Sequence, residues 1–157
     1  MIHCTSTAWL NLNAAAQLLL VLVLLPSAVC AEDWPRWGGP RGDGTWRGPH
    51  LPEAWPAGKL PVVWNKAIGG GYGGVSVAEG RVYVMDRQTE PVEVERIVCF
   101  DAASGKQLWV HKYAVRYGKL DYGNGPRATP TVFEGCVYTL GAVGHACCLE
   151  AQDGKLR

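Results

Sequence analysis

The sequence has little net charge and few charged groups. Its 157 residues include 15 Lys and Arg against 14 Asp and Glu, which gives a formal net charge of +1, and only 18% of the residues are charged. A chain so close to neutral has no overall field to steer a nucleic acid or an anionic membrane surface towards it. With 48% hydrophobic residues, the composition is that of a folded protein rather than a disordered one. We therefore expect a folded domain without a nucleic-acid partner.

The sequence also lacks an apolar run long enough to span a bilayer. The longest run, residues 14–25, falls short of the roughly 20 residues that a membrane-spanning helix needs. Pro26 and small residues up to Ala31 follow it, which is typical of an export signal cleaved after Ala31. A basic residue ahead of the run is missing, and lipidation at Cys30 stays open as an alternative. We predict a signal peptide over residues 1–31 and a secreted, periplasmic or extracellular location.

Turn-forming and aromatic residues are abundant. The chain has 20 Gly, 10 Pro, 7 Trp and 6 Tyr, a composition that favours short strands joined by tight turns, with large rings between them. This predicts an all-β protein.

One phrase occurs twice. "VCFDAASGKQLW" (98–109) and "CCLEAQDGKLR" (147–157) align on two cysteines, Cys99 and Cys148, and "EG-x-VY" precedes each phrase on an earlier strand. The residues that define the repeat are Gly80, Tyr83, Asp101, Gly105 and Trp109 in the first unit, Gly135, Tyr138, Glu150 and Gly154 in the second, and Trp64 ahead of both. Repeats of about 45 to 50 residues indicate a protein built from stacked units.

Each unit is predicted to hold four strands. In the first unit they cover residues 75–78, 81–85, 92–100 and 107–113, because apolar and polar residues alternate there and Gly-containing turns separate them. Four antiparallel strands in a repeat of 45 to 50 residues are typical of a β-propeller blade. We therefore predict a partial β-propeller with about two and a half blades.

The repeat resembles that of the pyrroloquinoline-quinone-like β-propellers. The residues that carry the resemblance are "DAASGKQLW" and "EAQDGK", together with a lead-in, "DWPRWGGPRGDG", that is similar to a bacterial exported subfamily. The resemblance implies a repeat protein in which the Trp after "GK" docks neighbouring blades. In the quinoprotein dehydrogenases of the family, a complete ring holds pyrroloquinoline quinone (PQQ) and calcium. Another resemblance is to the propeller lipoprotein of outer-membrane assembly.

The domain organisation follows from these units. We expect an irregular lead-in over residues 32–59, a strand of the closing blade over 60–68, a first blade over 72–113 and a second, truncated blade over 128–157. Since known propellers have about four to eight blades, the chain is predicted to be an N-terminal fragment whose partners include the remaining blades.

Candidate ligand-facing residues lie in loops before the innermost strands. "GGGYGG" (69–74) matches a dinucleotide fingerprint but leads into a predicted strand rather than a helix. Tyr72, Asn124 and Arg127 are therefore candidates for a ligand in the channel, and a structural role for Arg127 in holding loop carbonyls is favoured over carboxylate binding.

No catalytic set and no metal site are predicted. Cys99, Cys136 and Cys148 are interpreted as small buried strand residues, with their disulfide state and that of Cys147 left open. Arginine and tryptophan alternate in the lead-in and are expected to pack across the base of the propeller. The sequence favours an exported scaffold that binds a protein or small molecule, with a PQQ-dependent, calcium-dependent alcohol or sugar dehydrogenase and the outer-membrane-assembly lipoprotein as alternatives.

Overall fold

A computed structural model describes residues 32–48, 53–55, 57–58 and 60–157. The predicted signal peptide, its cleavage site and Cys30 lie outside these residues. Within the part of the chain that is described, no helix has the length and apolarity needed to cross a membrane.

The first sheet has four antiparallel strands in sequence order. They are β1 (Ser76–Ala78), β2 (Arg81–Gln88), β3 (Val94–Asp101) and β4 (Gln107–Ala114). The β1–β2 turn is Glu79-Gly80, with φ angles of 52° and 71°. Two left-handed residues form the turn whose twist matches that of the strands it joins, which explains the "EG" of the repeat.

The second sheet repeats this arrangement with three strands: β5 (Thr131–Phe133), β6 (Cys136–Leu140) and β7 (Ala146–Glu150). Its first turn, Glu134-Gly135, has φ angles of 47° and 73°. Tyr138 pairs with Cys148 in β6 and β7 as Tyr83 pairs with Cys99 in β2 and β3. After β7, Leu156 forms an isolated antiparallel bridge with Leu149. The prediction of an all-β chain with repeated antiparallel blades is confirmed.

An apolar core fills the seam between the two sheets. Tyr83, Ile97 and Cys99 from the first sheet pack with Val137 and Leu149 from the second. Side chains alternate between the two faces of a strand, so Val84, Val98 and Phe100 form a smaller cluster on the opposite face of the first sheet.

Tryptophans join each unit to the next. Trp109 of β4 donates its indole N–H to the carbonyl of Ala151 at 3.0 Å, and its ring covers Gly154, where a methyl group would lie 2.5 Å from the ring. Trp64 makes the same contacts with the "GK" turn of the first unit, donating to the carbonyl of Ala102 at 2.8 Å and covering Gly105. A "GK" turn is therefore a socket for the tryptophan of the preceding unit.

The socket can be tested with two glycines of the same backbone conformation. Gly154 and Gly135 have φ angles of 74° and 73°, but a methyl group at Gly135 meets no atom within 4 Å. Gly135→Ala should cost about 1 kcal/mol from strain alone. Gly154→Ala should cost about 2 kcal/mol more, because it also displaces Trp109. Urea unfolding measures the difference, and equal losses would contradict the socket.

The strand of the closing blade expected over residues 60–68 stays a prediction, because this segment has no ladder partner among the described residues. The expectation for the tryptophans of the lead-in needs correction. Trp37 does not pack across a base but is 79% exposed. Of the lead-in tryptophans, Trp34 attaches to the sheets, pairing with Val77 of β1.

Candidate functional site: the loop face

Two loops come together beside the innermost strands. Residues 69–75 precede β1, and residues 115–130 connect β4 with β5; we call them together the loop face. The N–H of Tyr72 donates to the carbonyl of Pro126 at 2.8 Å, and that of Gly74 donates to the Thr129 hydroxyl at 3.0 Å. The two loops thus lie side by side, and ligand binding by them stays a prediction.

The glycines of "GGGYGG" allow the chain to approach its neighbours closely. A methyl group at Gly69 would lie 2.0 Å from the Arg87 carbonyl oxygen, and one at Gly73 would lie 2.6 Å from that of Ala128. The loop leads directly into β1, so no helix N-terminus follows it to hold a pyrophosphate. The motif serves close packing of the backbone.

Tyr72 and Arg127 lie together. The Arg127 guanidinium is 5.7 Å from the centre of the Tyr72 ring, and it donates to the carbonyls of Gly123, at 2.9 Å, and Asp121. The Tyr72 hydroxyl donates to the carbonyl of Tyr122. Arg127 thus binds backbone carbonyls of the longer loop, as in the structural role favoured from sequence. Asn124 lies half-buried in the same loop.

The most exposed aromatic residue of the loop face is one that sequence reasoning missed. Tyr122 is 92% exposed and Tyr72 is 56% exposed. Tyr122 has a φ of 66°, a conformation that is uncommon for a residue with a side chain and is a genuine outlier for a bulky one. The signal in the sequence was an aromatic residue inside a turn, "DYGNG", which places the ring away from any strand.

A buried carboxylate binds the longer loop of the loop face. Glu95 of β3 is completely buried and accepts hydrogen bonds from Tyr113 at 2.5 Å, from Tyr117 at 2.7 Å and from the N–H of Ala142 at 3.1 Å. Burial, and then the bond to Glu95, raises the pKa of both tyrosines well above its usual value. Both hydroxyls therefore stay protonated and donate, so Glu95 links β4, the loop after it and the β6–β7 turn.

A second buried carboxylate holds the shorter loop. Asp86 of β2 is completely buried and accepts a hydrogen bond from the N–H of Gly69 at 2.6 Å. Its two carboxylate oxygens also accept hydrogen bonds from Nε and Nη2 of Arg96. The bonds to Asp86 raise the pKa of Arg96. Sequence reasoning assigned no role to either carboxylate, because only the register shows which polar strand residues face inwards.

The four cysteines among the described residues, Cys99, Cys136, Cys147 and Cys148, are free thiols. Cys99 and Cys136 are buried, but the prediction that Cys148 is buried is wrong: it is half-buried, on the face of the second sheet that points away from the first. Among the described residues, no group of three or more His, Cys, Asp or Glu side chains is arranged to hold a metal ion.

Comparison with known proteins identifies the repeat. Residues 93–157 match the family model described as outer membrane protein assembly factor BamB. The matched part contains β3, β4, the longer loop of the loop face and the whole second sheet. No curated protein matches the chain. Residues 93–157 are thus similar to a PQQ-like repeat, and the equivalent register of the two sheets is that of repeated blades in a partial β-propeller.

Proposed function

We propose that this chain is an exported propeller module that binds a protein partner through its loop face. The observation that supports the proposal is the exposure of Tyr72 and Tyr122 on loops fixed by their own hydrogen bonds. Aromatic and arginine side chains contribute most of the binding energy in many interfaces. A loop that is already ordered loses little conformational entropy on binding.

The partner we infer is an outer-membrane protein or a component of its assembly. The basis is the description of the matched family, an assembly factor for outer membrane proteins. The loop face is suited to such a partner because it offers the exposed rings of Tyr72 and Tyr122. The lipoprotein alternative depends on Cys30, which lies outside the described residues.

We also propose that a further blade covers the free face of the second sheet. Tyr83 and Tyr138 hold equivalent register positions, yet their exposed fractions are 1% and 43%. The difference arises because the second sheet packs on Tyr83, whereas none of the described residues forms a sheet over Tyr138. Phe133 and Leu140 are also exposed, and burying such side chains would stabilise each by roughly 1.5–3 kcal/mol.

The described residues do not fit the cofactors of the quinoprotein dehydrogenases. A bound calcium ion needs several oxygen ligands, and no cluster of His, Cys, Asp or Glu with metal-binding geometry is found in the described ranges. Arg127, a candidate for binding a ligand carboxylate, donates instead to the loop carbonyls. We therefore propose the binding module as the primary function.

A cross-linking experiment tests the loop face. The photoreactive amino acid p-benzoylphenylalanine replaces Tyr122, or as a control Leu108 of β4, which is also exposed. The probe is an unfolded outer-membrane β-barrel protein. We expect at least tenfold more cross-linked product from position 122, and Tyr122→Ala should raise the Kd for the same probe about tenfold, the loss typical of a side chain worth roughly 1–2 kcal/mol. Equal cross-linking at both positions would refute the proposal.

A further inference from the structure

A three-residue segment of the lead-in bridges the inner edges of both sheets. We call residues 33–35 the strap. Trp34 and Val77 of β1 exchange two backbone hydrogen bonds, of 2.8 and 2.9 Å, and the N–H of Val132 in β5 donates to the carbonyl of Pro35 at 2.8 Å. The Asp33 carboxylate accepts the N–H of Glu79 at 2.9 Å. The strap is therefore a short added strand that contacts both blades.

The edges that the strap occupies are the innermost edges of the two sheets. β1 and β5 each stand first in their sheets and pair on one side only, with β2 and β6. The N–H groups of Val77 and Val132 point to the other side and meet the strap. An unpaired strand edge is a template for an added strand, and this use of an edge is a known mode of peptide recognition.

Each residue of the strap uses a different part of its chemistry. Asp33 contributes its side-chain carboxylate, Trp34 both of its backbone groups, and Pro35 only its carbonyl. Proline has no N–H to donate, so this position needs an acceptor alone. The two edges thus bind an extended segment of three residues. The first is acidic, the second has a free backbone N–H and a free carbonyl, and only the carbonyl of the third is used.

The strap is held by polar contacts more than by burial. The apolar cluster between the sheets is formed without Trp34, whose ring packs on Gly39 of its own loop and is half-buried. The next ring, Trp37, is 79% exposed. A backbone hydrogen bond contributes only a modest net free energy, because the same groups bind water when they are released, so another segment that makes the same bonds can replace the strap.

We propose that the inner edges of β1 and β5 form a strand-addition site for an extended Asp-X-Pro peptide, in which X is any residue but proline; residues 33–35 occupy this site within the same chain. The site is separate from the loop face and does not depend on the function proposed for it. A partner segment of this chemistry gains access only when the strap leaves, so the strap competes with such a partner.

The test measures how a fluorescent peptide with the sequence of residues 32–40, EDWPRWGGP, binds to the full chain. The variant Trp34→Pro lacks the N–H that donates to the Val77 carbonyl. It should therefore release the strap without changing either edge. The double variant Trp34→Pro/Val132→Pro also removes an edge donor that points away from β6. Fluorescence anisotropy gives the Kd for each protein, and hydrogen exchange at Val77 reports whether the strap is released.

We expect Trp34→Pro to bind the peptide at least tenfold more tightly than the wild type, and the double variant to lose that gain. Exchange at Met85 and Ile97, inside the first sheet, should stay slow in all three proteins. The proposal is overturned if a released strap brings no gain in affinity, or if Val132→Pro leaves the gain intact. If the wild type forms a concentration-dependent dimer and Trp34→Pro does not, the site would instead bind the strap of a second copy of the chain.

Discussion

Replacing Trp109 with alanine is expected to lower the free energy of unfolding by about 4 kcal/mol, the largest loss we predict for any single side chain. Truncation of a large buried aromatic side chain typically costs 3–5 kcal/mol. Here it removes the ring that packs on Tyr83, at a centroid distance of 5.9 Å, and the indole donor to Ala151. Urea unfolding followed by far-ultraviolet circular dichroism measures the loss.

Trp109→Phe separates the two contributions. Phenylalanine keeps an aromatic ring at the seam but leaves the Ala151 carbonyl without its donor, so we expect a loss of roughly 1–2 kcal/mol. If Trp109→Ala destabilised the protein no more than Trp109→Phe did, packing at the seam would not be the main stabilising contribution.

Glu95→Ala is expected to cost about 3 kcal/mol. Three donors converge on this carboxylate, from Tyr113, Tyr117 and Ala142. Removal of a buried partner costs about 1–3 kcal/mol for the groups left unsatisfied, and more for a charged group. The loss should be accompanied by faster hydrogen exchange at Ala142 and in residues 115–118, because Glu95 joins these segments.

Glu93→Ala is the matched control for this variant. Glu93 lies two residues earlier in the chain and binds the Arg87 guanidinium at a partly exposed position. A partly exposed ion pair contributes little, so the expected cost is below about 1 kcal/mol. A similar loss in both variants would show that Glu95 acts as an ordinary surface carboxylate and not as a junction between segments.

The sequence was enough to predict the strands and turns because those features are local. The "EG" and "GK" turns need left-handed residues at fixed positions. In the strands between these turns, the alternation of apolar and polar residues determines which side chains face a neighbouring sheet. The register of Tyr83 with Cys99 recurs at Tyr138 with Cys148 for the same reason. The repeat phrase therefore contained most of the fold.

The supports of the loop face could not be predicted in this way. Glu95 and Glu93 both look like solvent-facing residues of an alternating strand, and only the position of the β6–β7 turn makes the first of them a buried acceptor. The strap was missed because its hydrogen bonds join residues more than forty positions apart in the chain. Cys148 was judged buried by analogy with Cys99, although the neighbouring sheet that buries Cys99 has no described counterpart at Cys148.

The tryptophan sockets bear on how such a chain lengthens during evolution. Each contact joins a ring in one unit to a turn in the next, Trp64 to Gly105 and Trp109 to Gly154. A gene segment that encodes one unit therefore encodes both a docking tryptophan and a "GK" socket, although these two never contact each other within that unit. Tandem duplication of the segment creates a matched junction in a single genetic event, before any compensating mutation has occurred.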